Sequence, residues 1–169
     1  NQADEVIWNA RDIGFADAAG GVFVAGASSG NGSDLMISKD AGQTWTRPTG
    51  SWMCGGDFNG VAGGNDVIVV VFGDKTCRSS DGGDSFELTE LGGGAAVEFD
   101  GAQFVSWSEG SRWVSSDGAS WTSTPLVIEG LPGGHNFALG PIARSPDTGT
   151  YVSVRGGWQV WYDAQDFYR

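Results

Sequence analysis

Lysine is almost missing from this chain, with only Lys39 and Lys75 among 169 residues. Lysine and arginine together number 9 against 21 aspartates and glutamates, a formal net charge of -12. A phosphate backbone needs a basic surface, so nucleic acid is excluded as a partner. Cysteine is limited to Cys54 and Cys77, and histidine to His135. Without CxxC spacing and with a single histidine, no metal site and no cofactor are expected. No run of about 18 apolar residues occurs, so no helical membrane span is expected. Glycine goes the other way, at 29 residues, yet it follows no G-X-Y period and collagen is excluded. A content of 40% hydrophobic and 12% aromatic residues is too rich for a disordered chain. Many turns between short apolar strands remain, which is an all-β protein.

The chain opens Asn1-Gln2-Ala3-Asp4-Glu5-Val6, with neither a basic leader nor an apolar stretch. That fits a cytosolic protein or a mature form already trimmed. Cys54 and Cys77 are either two free buried thiols or one disulfide. The disulfide would close a loop of about two dozen residues, worth roughly 3 kcal/mol. Scarce lysine, abundant glycine and tryptophan and an even cysteine count favour the disulfide and a secreted or periplasmic location.

Internal repeats decide the fold. The chain reads Ser38-Lys39-Asp40-Ala41-Gly42-Gln43-Thr44-Trp45 and later Ser79-Ser80-Asp81-Gly82-Gly83-Asp84-Ser85-Phe86. A third copy, Ser115-Ser116-Asp117-Gly118-Ala119-Ser120-Trp121, is one residue shorter between aspartate and aromatic. The aspartates are 41 and 36 residues apart. Each copy closes the same phrase: an apolar strand, a polar turn, a short strand, then the Ser-x-Asp turn. The carboxylate can accept backbone N–H bonds from residues just ahead of it, while glycine supplies the positive φ that closes the loop. The aromatic then starts the next strand and buries a large surface between units.

This pattern resembles the Asp-box, or bacterial neuraminidase repeat, Ser-x-Asp-x-Gly-x-Thr-Trp. Residues 38–45 match throughout; 79–86 match with Ser85 and Phe86 in the last two places. The third copy carries its glycine, Gly118, next to Asp117. In that family each box lies between the third and fourth strands of a four-stranded β-propeller blade. The resemblance therefore implies blades at about 10–50, 51–91, 92–127 and 128–169. First strands are expected near Asp12–Asp17, Asp57–Ala62, Ala95–Asp100 and Phe137–Arg144. Phe167-Tyr168-Arg169 aligns with Thr76-Cys77-Arg78, so the outer strand of the fourth blade is missing. Residues 4–8 could supply it and close four blades. Alternatively the chain is part of a ring of six to eight blades, cut after Arg169 and completed by a second polypeptide. The incomplete ring is the favoured expectation.

The box residues Ser38, Asp40, Gly42, Trp45, Ser79, Asp81, Gly83, Phe86, Ser115, Asp117, Gly118 and Trp121 read as structural. On the resemblance, the working face carries the loops Arg47–Gly56, Leu88–Gly94 and Pro125–Asn136 between blades. It also carries Ser28–Asp34, Gly73–Lys75, Glu109–Arg112 and Arg155–Asp166 within them. The last holds Trp158, Trp161, Tyr162 and Asp163. Exposed aromatics beside carboxylates and amides suit the apolar faces and hydroxyl fringe of sugars, and equally suit protein interfaces. An ordinary long hairpin is the plainer reading of that loop. Trp52, His135 and Asn136 complete the candidate ligand set. Glycoside hydrolysis would need two carboxylates roughly 5–10 Å apart. Glu98, Asp100, Asp57, Asp12 and Asp17 lie on or beside first strands, so a glycoside hydrolase or polysaccharide lyase is conceivable on this pattern. The sialidase Arg-Ile-Pro motif is absent, and Arg78 and Arg112 precede boxes on third strands, the wrong place for a central arginine triad. The expected function is carbohydrate binding or processing at the loop face. The alternative is a non-catalytic scaffold that docks a protein.

Overall fold

The computed structural model describes residues 10–29, 32–108, 110–126, 138–145 and 147–156. Within them, strands follow one another as antiparallel neighbours in chain order and group into four sheets. The first sheet joins β1 (Ala10–Ala16), β2 (Val22–Ser29) and β3 (Gly32–Ser38). The second joins β4 (Phe58–Gly64), β5 (Val67–Phe72), β6 (Thr76–Ser79) and β7 (Glu87–Leu88). The third joins β8 (Ala96–Phe99), β9 (Phe104–Ser108), β10 (Ser111–Ser115) and β11 (Thr122–Pro125). The fourth contains β12 (Ala138–Arg144) and β13 (Tyr151–Gly156). Strands are thus observed at all four places where first strands are expected. The hairpins follow turn chemistry: Asn65 and Asp66, both at positive φ, form the two-residue link from β4 to β5.

The first strands lie in a row, β1 beside β4, β4 beside β8 and β8 beside β12. Each sheet therefore has a neighbour across a face, which explains why β5 is buried along its whole length while the outer β11 is exposed. Side chains alternate across the second sheet. Val61, Ile68 and Val70 meet Val22, Val24, Leu35 and Ile37 of the first sheet. Ala62, Val67, Val69 and Val71 meet Val97, Phe99 and Phe104 of the third. Both seams seat an aromatic ring on a glycine. A Cβ on Gly26 would overlap Phe58, and one on Gly64 would overlap Phe99.

Cys54 and Cys77 form a disulfide with Cα atoms 5.8 Å apart. Both are fully buried in the seam between the first and second sheets. The bond ties the link between those sheets to β6, so the free-thiol alternative falls away.

One strand differs from the expected plan. The fourth strand of the first sheet shrinks to a single bridge between Thr46 and Ile37. Pro48 has no N–H to continue a ladder, and Thr49 turns to the neighbouring sheet. There Thr49 N–H donates to Asp84 O (2.9 Å) and Phe86 N–H donates to Thr49 O (2.8 Å). A Cβ at the next residue, Gly50, would overlap the Phe86 carbonyl oxygen, so this approach needs glycine, at φ 77°.

Candidate functional site

The three Ser-x-Asp turns share one hydrogen-bond scheme. Ser38 Oγ donates to Asp40 Oδ1 and accepts from Gly42 N–H, each at 2.8 Å, and Thr44 N–H donates to Asp40 Oδ1 at 2.8 Å. In the second turn, Ser79 Oγ donates to Asp81 Oδ1 and accepts from Gly83 N–H at 2.8 Å, with Ser85 N–H on the same carboxylate at 2.9 Å. In the shortened third turn, Gly118 N–H takes over the bond to Ser115 Oγ at 2.8 Å. Ala119 and Ser120 N–H then reach Asp117 Oδ1 at 2.9 and 3.1 Å. The hydroxyl and N–H of Thr44, with Ser38, hold the Asp40 carboxyl down at about 2. Burial pushes Asp81 up, but the hydroxyl and N–H of Ser85 and the hydroxyl of Ser79 outweigh it and leave it at about 2. The N–H groups of Ala119 and Ser120 lower Asp117. These carboxylates are ionised and committed to their own turns, with no proton to exchange near neutral pH. The aromatics Trp45 and Trp121 donate Nε1–H to the carbonyls of Gly42 and Gly118 at 3.2 Å, and Phe86 is buried in the first seam.

The turns also reach their neighbours. Lys39 Nζ pairs with Asp84 Oδ1 at 2.7 Å, and Arg78 Nε donates to Asp117 O at 2.7 Å. Gly83 lies against Ile37 and Val22 of the first sheet, and Gly118 against Val69 and Val67 of the second.

Of the candidate ligand residues, Trp52 is described, on a single 3-10 turn, Ser51–Met53, and the residue is 79% exposed. That turn lies against β3 and β7, the outer strands of the first two sheets. His135, Asn136, Trp158, Trp161, Tyr162 and Asp163 lie outside the described residues. So do residues 4–8.

A polar group occupies the seam between the third and fourth sheets. Tyr151 packs its ring on Trp107 (4.7 Å between centroids), and the Arg144 guanidinium lies 5.9 Å from the Tyr151 ring centre. Among the described residues, Arg144 Nε and Tyr151 Oη are buried atoms without a hydrogen-bond partner. Burial raises the Glu98 carboxyl, opposed by the nearby positive charge of Arg144. Burial also pushes Asp100 up, but the N–H groups of Gln103 and Ala102, which close its turn at 2.9 and 3.0 Å, bring it below the ordinary range. Tyr151 is raised by burial and by the Asp100 charge. Glu98 on β8 and Asp100 just after it thus stand two residues apart with opposite shifts in proton affinity, but Asp100 is held by its turn. Arg144 and Tyr151 escape a motif search because they sit at ordinary strand ends. Among the described residues no three His, Cys, Asp or Glu side chains are placed to hold a metal, and no helix is long and apolar enough to cross a membrane. No model of a known protein family matches the chain, and no curated protein matches it.

Proposed function

We propose that the chain is a secreted Asp-box β-propeller segment that binds carbohydrate through aromatic loops and is completed by further sheets on a second polypeptide. The observation that carries the propeller reading is the repeated unit itself. Sheets of chain-order strands stand with first strands in a row, and in each of the first three a Ser-x-Asp turn follows the third strand. A disulfide supports an oxidising compartment. The carbohydrate reading draws on Trp52, an exposed residue of the kind that stacks on sugar faces, together with the sequence's Trp158, Trp161 and Tyr162, which lie outside the described residues.

The test is a glycan array probed with the native chain, Trp52→Ala and Trp158→Ala/Trp161→Ala. At least one glycan class should be retained, with affinity falling about tenfold on loss of a stacking indole. Glycan binding that survives all three substitutions removes this site. No glycan binding favours the second reading, a non-catalytic scaffold, for which the exposed Ile13 and Phe15 on β1 speak.

A further inference from the structure

The face of the first sheet that looks away from the second is built like an interior seam. In each of the first three sheets, the serine of the Ser-x-Asp turn pairs with a second-strand residue: Phe23, Ile68 and Phe104. That residue pairs in turn with Phe15, Gly63 and Phe99 on the first strand. Phe15 and Phe23 therefore occupy the same register as Phe99 and Phe104. The two ring pairs also share a geometry, 5.0 Å between centroids at 58° and 55°. Their surroundings differ. Phe104 is 0% exposed, pressed with Phe99 onto the second sheet, whereas Phe15 is 52% exposed with Ile13 beside it.

Among the described residues, the opposite end of the row also carries an exposed apolar side chain, Val152. The second sheet receives the Phe99–Phe104 pair on Ala62 and Val69, which are paired across β4 and β5. The fourth sheet carries the same combination, Ala143 paired with Val152 across β12 and β13. Ile142 and Tyr151 pack against the third sheet, so alternation points Ala143 and Val152 away from it, and Val152 is 65% exposed. One chain thus displays both halves of the seam that it uses internally.

We propose that these faces join head to tail between two copies of the chain, Phe15 and Phe23 of each resting on Ala143 and Val152 of the other. Two copies of four sheets then close as one eight-sheet ring, at the upper end of the four to eight blades that propellers use. This rests on the propeller reading and names the second polypeptide as another copy. Each copy carries a charge of -12, so added salt screens the repulsion and strengthens the pairing.

Sedimentation of the 169-residue chain tests it, with Phe15→Asp and Val152→Asp, both at exposed positions, and Ile13→Asp as a second variant of the same face. The native chain should sediment at twice its 17.6 kDa mass, and each substitution should give the single-chain mass. Mixing Phe15→Asp with Val152→Asp should recover a weaker pair through the one intact seam. A native chain that stays single at all concentrations and salt levels overturns the proposal. So does a dimer that Phe15→Asp breaks and Val152→Asp leaves whole, which would be a face-to-face contact of two first sheets. Small-angle scattering of the single-chain variant judges the propeller reading separately: a curved half-ring keeps it, a straight stack of sheets removes it.

Discussion

The seams on either side of the third sheet are made from different materials. Towards the second sheet it presents Val97, Phe99 and Phe104 to a surface of valines and alanine. Towards the fourth it presents Ala96, Val105 and Trp107, with Glu98 among them, to Ile142, Arg144 and Tyr151. The first kind is held by apolar burial, which is non-directional and adds up with area. The second spends part of its contact on polar groups: burial raises Glu98, and among the described residues Arg144 Nε and Tyr151 Oη are buried without a hydrogen-bond partner. The repeat fixes where two sheets meet and leaves the chemistry of the meeting open. The same first- and second-strand register is filled by Phe99 and Phe104 in one sheet and by Gly63 and Ile68 in another.

This contrast can be broken most severely at Phe104. Phe104→Ala should cost about 3–5 kcal/mol, read as a drop in the denaturant midpoint, because the ring is fully buried and a packed core relaxes only partly around the cavity left behind. A loss no greater than that of Tyr151→Ala would mean that the two seams do not differ in strength. Removing the disulfide comes next. Cys54→Ala/Cys77→Ala frees a loop of 23 residues and should lower stability by about 3 kcal/mol, with the non-reduced native chain as reference.

The smallest effects are the pH dependences, and they have opposite signs in the turns and in the polar seam. Asp81 is held at about 2 against an ordinary 3.8, so its contribution is present above 3.8 and is lost as pH falls through about 2. Asp81→Asn should flatten the acid limb of a stability-against-pH curve, by well under the full linkage value because the group is exposed. Glu98 is raised above 4.5, so its contribution is complete below 4.5 and is lost as pH rises through the higher folded value. Glu98→Gln should remove that decline and leave the acid limb unchanged. If both substitutions alter the same limb, the assignment of the polar seam is wrong.

Much of this was legible in the residues. The Ser-x-Asp phrases give the turns, their carboxylate bonding follows from local geometry, and the apolar runs mark β2, β5 and β9. Less legible was anything set by register between strands. That Phe15 with Phe23 repeats Phe99 with Phe104 cannot be seen by aligning the phrases, because the spacing from first strand to turn varies. The placement of Trp52 against β3 and β7 depends on where the chain leaves the first sheet after Thr46, a choice made by Pro48 and by the bond from Thr49 to Asp84. Arg144 and Tyr151 become distinctive only because Trp107, Glu98 and Asp100 come from another sheet.

The ties between neighbouring turns each join an earlier turn to one that follows it in the chain. Lys39 and Thr49 reach forward to residues 84–86, and Arg78 reaches forward to Asp117. During synthesis each sheet therefore emerges with its side of the tie already made and the partner group not yet translated. A ribosome-bound chain ending near residue 75 would hold a first sheet lacking the partner of Lys39. Extending it past Phe86 would supply that partner together with the Cys77 needed to lock the pair, so protection should arrive in steps of one sheet with a delay of one.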